Sequence, residues 1–148
     1  MMRKILNTCS ALFMVANVVV ALWFYFGTKI SFVPLHWNSI GEMERYSHTW
    51  LVLLLSGISL FVYALMVYCQ RNAIINMPFR IVNISATRSL IKNLIAWVTF
   101  FITLAFLYVV AADSQILPLY NMIIYILLMI ILIICAYYTK KIYEARRS

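Results

Sequence analysis

The fold class of this chain is decided by one run of apolar residues, MIIYILLMIILII at positions 122–134. Each central Ile or Leu contributes about −0.5 kcal/mol to membrane insertion, so this run alone favours insertion by several kcal/mol. A helix needs about 20 mostly apolar residues to cross a bilayer. The apolar segment around the run extends from about residue 117 to residue 138. We therefore predict a transmembrane helix over 117–138.

Three further segments have the same length and composition, and they cover residues 7–26, 50–68 and 91–112. None of the four has an acidic or basic residue at its centre. Backbone polar groups in lipid must be hydrogen-bonded within the protein, which favours helices. The runs lack the alternation of polar and apolar residues that a membrane β-barrel requires.

The predicted fold is an all-α membrane protein, a single domain over residues 1–148 with four antiparallel transmembrane helices. A five-residue turn over 113–117 is expected to make the third and fourth helices neighbours.

The overall composition supports this fold class. Hydrophobic residues make up 66% of the chain and charged residues 11%, against roughly 25% charged residues in soluble domains. Such a chain cannot cover its outside with polar side chains, so its outside must face the lipid bilayer. The net charge is +8, but the basic residues stand at the ends of apolar runs and do not form a nucleic-acid surface. No nucleic-acid partner is predicted.

The positions of lysine and arginine predict the orientation. Two basic residues, Lys29 and Arg45, belong to the loop after the first span. The other ten belong to the two termini and to the connector between the second and third spans: Arg3, Lys4, Arg71, Arg80, Arg88, Lys92, Lys140, Lys141, Arg146 and Arg147. Cytoplasmic segments carry the excess of basic residues, so both termini are predicted to be cytoplasmic.

The connector over residues 70–91 mixes apolar and basic residues, and Pro78 excludes a continuous helix there. We expect it to lie along the inner membrane surface. Lipid-headgroup contacts are predicted for Arg71, Arg80, Arg88 and Lys92. A docking site for a cytoplasmic partner is the alternative interpretation.

The loop over residues 29–49 contains the one candidate motif, PLHWNSIGEMERYS at positions 34–47. Pro34 fixes its own φ angle, Gly41 permits a left-handed turn, and Asn38 can close a local side-chain turn. These residues predict a structured loop on the extracytoplasmic side.

This motif resembles the N-terminal domain, itself of unknown function, of bacterial SdpI-type membrane proteins. The resemblance covers about residues 10–65. Glu44 stands where that family typically has Asp, and Met43 stands where Pro is frequent. The other matching residues are Pro34, His36, Trp37, Asn38, Gly41 and Tyr46.

The resemblance implies a multi-pass protein of the bacterial cytoplasmic membrane. Its best-understood relatives are immunity proteins that protect the cell from a secreted peptide toxin and signal its presence, and they have more spans than this chain. We therefore expect an interaction, immunity or signalling protein. Its motif residues would bind an extracytoplasmic peptide or another membrane protein, or would hold the loop in shape.

A divalent-metal site in the same loop is an alternative, because two imidazoles and two carboxylates can hold a transition metal. Its ligands would be His36, Glu42, Glu44 and His48. Their spacing is not the helical His pair of a zinc protease. No catalytic residues and no cofactor are predicted, since no nucleophile or general base is placed by a second group.

Transport is the third class. Transporters place ionisable groups inside the membrane, and the four predicted spans have none at their centres. Ion-coupled transport is therefore disfavoured. A subunit of a small transporter, or a homo-oligomer with a pore at the subunit interface, stays an alternative.

The predicted orientation can be tested with reporters fused to the C-terminus. We expect a green fluorescent protein fusion to fluoresce and an alkaline phosphatase fusion to be inactive, because the ten-to-two distribution of basic residues retains that end in the cytoplasm. An active phosphatase fusion would contradict the predicted topology.

Overall fold

The computed structural model describes residues 1–30, 32–37, 43–79 and 81–145, and for residues 34–37, 43–46 and 84 it describes the backbone only. The order of elements is α1 (Met2–Gly27), β1 (Phe32–Trp37), β2 (Met43–His48), α2 (Trp50–Asn72), α3 (Ile84–Asp113) and α4 (Asn121–Ala145). All four helices are long and apolar enough to cross a membrane. This confirms the four predicted helices, and their length and composition are those of a multi-pass membrane protein. A short β-hairpin stands where a structured loop was predicted.

Two helices begin earlier than their apolar runs. α1 begins at Met2 instead of residue 7, and α3 begins at Ile84 instead of residue 91. The side chain of Asn83 caps α3, because its Oδ1 accepts a hydrogen bond from the backbone N–H of Ala86 at 3.1 Å. A hydropathy pattern detects only the apolar part of a helix, so it does not detect a capped polar first turn. The predicted connector over 70–91 is therefore shorter, at 73–83.

The fourth helix begins at Asn121, so the predicted start at residue 117 and the predicted turn over 113–117 are wrong. Pro118 disfavours a helical conformation for the residue before it. The Tyr108 hydroxyl holds the link between α3 and α4 in place. It donates to the carbonyl of Pro118 at 3.0 Å and accepts from the N–H of Tyr120 at 2.7 Å. α4 also continues to Ala145, beyond the predicted end at residue 138.

The helices pack around α3, which contacts α1, α2 and α4. One core cluster contains Ala21 and Phe24 of α1, Val52 of α2 and Val110 of α3. A second cluster joins Ile91, Leu94 and Ile95 of α3 to Tyr138 and Ile142 of α4. Met66 and Cys69, near the end of α2, pack against this second cluster, as do Ile75, Met77, Phe79 and Ile81 of the connector.

A buried polar network joins α1 to α2 midway along both helices. The Ser56 hydroxyl donates to Oδ1 of Asn17 at 2.7 Å, and the Ser59 hydroxyl lies 3.2 Å from the same oxygen. Ser59 has one hydroxyl proton and also lies 2.8 Å from the carbonyl of Ser56, so it can donate to only one of the two acceptors. Hydrogen bonds between transmembrane helices contribute about 0.6 kcal/mol each on average. The network therefore fixes the register of α1 against α2 more than it adds stability.

A second polar contact ties three helices together at one end of the bundle. Asn7 and Gln70 exchange two hydrogen bonds, of 3.1 and 3.0 Å, between their carboxamides. The Gln70 amide also donates to the carbonyl of Lys92 at 3.2 Å. The start of α1, the end of α2 and the start of α3 therefore meet at Gln70.

α2 ends on a residue with a left-handed backbone, Ala73, at φ 55° and ψ 41°. The N–H of Ile74 donates to the carbonyl of Cys69 at 2.9 Å, and the N–H of Ala73 donates to that of Gln70 at 3.3 Å. These are the two hydrogen bonds of a Schellman motif, in which glycine usually occupies the left-handed position. A Cβ in that conformation costs roughly 1–2 kcal/mol.

We therefore expect Ala73→Gly to raise the free energy of unfolding by about 1 kcal/mol, because glycine relieves the left-handed strain. The matched control is Ala64→Gly, an exposed position within α2, where glycine should lower the free energy of unfolding by about 0.5–1 kcal/mol. Reversible unfolding in mixed detergent micelles measures both. A destabilised Ala73→Gly variant would contradict the prediction.

Candidate functional site

The candidate site is the β-hairpin between α1 and α2. β1 and β2 pair antiparallel, from Phe32 opposite His48 at the end next to α2 to Trp37 opposite Met43 at the end next to the connecting loop. The register shifts on both sides of the pair between His36 and Arg45. The first shift leaves Leu35 of β1 without an opposite residue, and the second leaves Glu44 of β2 without one.

The local sequence explains why this segment forms a hairpin. Aromatic and β-branched residues such as Phe32, Val33 and Trp37 favour strands. The five-residue link over 38–42 contains Asn and Gly, which is typical of hairpin loops. Pro34 is tolerated because each strand of a two-stranded sheet has a free edge. These signals are present in the sequence, but the turn-forming Pro34, Asn38 and Gly41 predicted a structured loop.

The hairpin is anchored to the helices by Val33. Its side chain is 1% exposed and belongs to the core cluster that contains Phe24, Val52 and Val110. The neighbouring Phe32 is 55% exposed, and its ring centroid lies 5.8 Å from that of His48. Val33 thus packs on the helices and the neighbouring Phe32 faces away, as strand alternation requires. A lone two-stranded hairpin is marginally stable in water, so it depends on this anchor.

The hairpin brings most of the predicted motif into one small sheet. Pro34 stands opposite Tyr46, and His36 stands opposite Arg45. Glu44, the residue at which the motif has a carboxylate, is the unpaired residue of β2. Bulges of this kind are frequent next to functional sites because they re-aim a side chain. Asn38 and Gly41 lie outside the described residues.

The hairpin register bears on the predicted metal site. His48 stands opposite Phe32, four residues from His36 along β1, which is about 13 Å at the rise of a strand. That separation makes it hard for the two imidazoles to share one ion. Glu42, and the side chains of His36 and Glu44, lie outside the described part. Among the side chains that are described, no group of three His, Cys, Asp or Glu could hold a metal. The four-ligand site stays a prediction.

Two of the four residues predicted to contact lipid headgroups lie near the ends of helices. Arg71 is exposed in the last turn of α2, and Arg88 is exposed near the start of α3. Lys92 is half-buried on α3. Arg80 lies outside the described residues.

No protein-family model, curated protein or solved structure matches this chain. The resemblance to SdpI-type proteins therefore rests on the motif in the hairpin and its flanking spans.

We expect Val33→Ala to weaken the attachment of the hairpin by about 2 kcal/mol, because it removes two buried methyl groups and leaves a cavity. The matched control is Phe32→Ala, which loses only a cross-strand contact and should cost about 0.5 kcal/mol. Amide hydrogen exchange of residues 43–48 in nanodiscs measures the opening of the hairpin. Equal exchange rates in the two variants would show that Val33 is not the anchor.

Proposed function

We propose that this chain is a small multi-pass protein of the bacterial cytoplasmic membrane with an interaction, immunity or signalling role. It recognises an extracytoplasmic peptide or another membrane protein through the hairpin over residues 32–48. It acts by binding and not by catalysis.

The observation that carries this proposal is the two-stranded sheet itself. Within the described residues each strand pairs on one side only, so its other edge presents backbone N–H and C=O groups. Such edges bind extended peptides by adding a strand. Side chains that alternate along the hairpin then give specificity. The motif residues Pro34, His36, Trp37, Glu44 and Tyr46 are placed along these two strands.

The proposed topology places the hairpin on the outside of the cell. The helices cross the bilayer in alternating directions, with both termini in the cytoplasm. This is supported by the carboxamide pair of Asn7 and Gln70, which brings the start of α1 beside the end of α2. The Tyr108 hydroxyl, which spans the link to Tyr120, supports a tight reversal between α3 and α4. The ten-to-two distribution of basic residues predicts that the side with both termini is the cytoplasmic side.

The resemblance to SdpI-type proteins supports a peptide as the ligand. An immunity protein must recognise a secreted toxin before that toxin acts on the membrane, and an outward hairpin fixed to the helix ends is well placed for this. Anchoring through Val33 limits the conformational freedom that the hairpin loses on binding, which favours affinity.

The proposal is tested by photo-crosslinking in living cells. A photo-reactive residue at Ser39, in the link between the strands, should capture a discrete peptide or protein. The same residue at Phe61, which is 70% exposed on the outside of α2, should capture lipid only. We expect His36→Ala and Glu44→Ala to lose the Ser39 adduct while the protein still inserts, because each removes a polar group from the proposed binding strands.

Two results would contradict the proposed function. One is an identical adduct from Ser39 and Phe61, which would indicate a lipid-facing contact and not recognition by the hairpin. The other is full capture by both variants, which would show that the motif side chains do not bind the partner.

A further inference from the structure

A polar cavity opens between α1, α2 and α3 at the end of the bundle where Gln70 ties these helices together. Its volume is about 230 Å³. Asn7 and Arg71 are exposed and mark its open side, whereas Ser10 and Thr99 are buried and form its floor. Tyr63 completes the wall on α2. Helices in hydrocarbon rarely place so many polar side chains around one space unless the space holds something polar.

Most polar groups around this cavity already have partners. The hydroxyls of Ser10 and Thr99 donate to backbone carbonyls one turn earlier, at 2.8 and 2.7 Å. The carboxamides of Asn7 and Gln70 are paired with each other. Within the described residues, the Tyr63 hydroxyl and the Arg71 guanidinium have no hydrogen-bond or ionic partner. The groups that remain for a ligand are therefore a hydroxyl, which can donate or accept, and a guanidinium, which only donates and carries a positive charge.

The two donors lie at different depths. Tyr63 and Arg71 are eight residues apart on α2, which is about 12 Å along the helix axis. Arg71 is in the last turn of α2, and Tyr63 is about two turns further into the helix. Both side chains nevertheless line the same cavity. A phospholipid offers acceptors at two depths within one molecule: the phosphodiester oxygens and, nearer the hydrocarbon, the ester carbonyls.

The net positive charge at this end of the bundle favours an anionic ligand. The termini of α1 and α4 and the facing ends of α2 and α3 carry seven described basic residues and one carboxylate, that of Glu144. The basic residues are Arg3, Lys4, Arg71, Arg88, Lys92, Lys140 and Lys141. Basic pockets between transmembrane helices are known binding sites for anionic headgroups, and a guanidinium matches two phosphate oxygens at once.

We propose that the cavity between α1, α2 and α3 binds the headgroup of an anionic phospholipid, with Arg71 on the phosphodiester and Tyr63 on an ester carbonyl. This site is independent of the hairpin, which belongs to the other end of the helices. It also differs from the general headgroup contacts expected of exposed basic residues, because it is a built pocket with an inner donor.

The experiment is native mass spectrometry of the purified full chain in detergent micelles with added phosphatidylglycerol or phosphatidylcholine. The wild-type chain should retain phosphatidylglycerol in preference to phosphatidylcholine. Arg71→Gln should weaken the retention of phosphatidylglycerol about tenfold, because it removes a charged hydrogen bond. Tyr63→Phe should weaken it roughly threefold to tenfold, since a neutral hydrogen bond is lost.

The matched control is Arg88→Gln, which removes the same charge from an exposed position that does not line the cavity. It should leave phosphatidylglycerol retention within about twofold of wild type, as expected for a solvent-screened surface charge. Circular dichroism and size-exclusion chromatography establish that each variant is folded, and Arg71→Lys, which keeps the charge, should bind better than Arg71→Gln.

Three results would overturn the proposal. Equal losses in Arg71→Gln and Arg88→Gln would show that diffuse charge binds the lipid and not the cavity. Unchanged retention in Tyr63→Phe would show that the Tyr63 hydroxyl does not bind the lipid, and so that the lipid does not enter the cavity. Displacement of the lipid by inorganic phosphate would assign the site to a free anion instead of a phospholipid.

Discussion

Hydrocarbon offers no hydrogen-bond partner to a backbone amide or carbonyl, and this constraint governs the whole chain. Four long helices satisfy their own backbones, so the apolar side chains can face lipid on nearly every side. The same constraint acts on the polar side chains inside them. The hydroxyls of Ser10, Thr99 and Thr103 donate to the carbonyl four residues earlier, at 2.7–2.9 Å. Each of these hydroxyls is satisfied within its own helix and needs no partner on another.

Carboxamides behave differently, because they have more donors and acceptors than their own helix can satisfy. Asn17 reaches Ser56 on α2, and Asn7 reaches Gln70. Both contacts join α1 to α2, and Gln70 extends the second contact to α3. α4 packs chiefly on α3, and through apolar side chains. Side-chain hydrogen bonds therefore join the first three helices, whereas α4 packs on α3 through apolar side chains and is tied to it at their link by the Tyr108 hydroxyl.

The sequence was sufficient to predict the number and the approximate place of the four helices, because long uninterrupted apolar runs admit few other structures. It located their ends poorly. Asn83 caps α3 within the segment that the sequence predicts to be a connector. Pro118 keeps the start of the fourth apolar run out of α4. Hydropathy measures the solvent that a residue prefers, but caps and prolines decide where a helix begins.

The site was predicted in part. The residues of 34–47 predict a structured loop with turn-forming Asn38 and Gly41, but they do not predict the strands on either side. Their side chains are too mixed to show a clear alternation, since Pro34 interrupts the first strand and two bulges shift the register. The role of Val33 depends on contacts with three helices that are far apart in sequence, and no local pattern shows such contacts.

Among the described side chains of the hairpin, the anchor at Val33 has a mechanical consequence. Val33 lies among side chains of α1, α2 and α3 at one point, and the described residues of that cluster include none from α4. The hairpin is also continuous in sequence with α1 and α2. A displacement of β1 at Val33 would therefore bear on the junction of three helices and not on a single one.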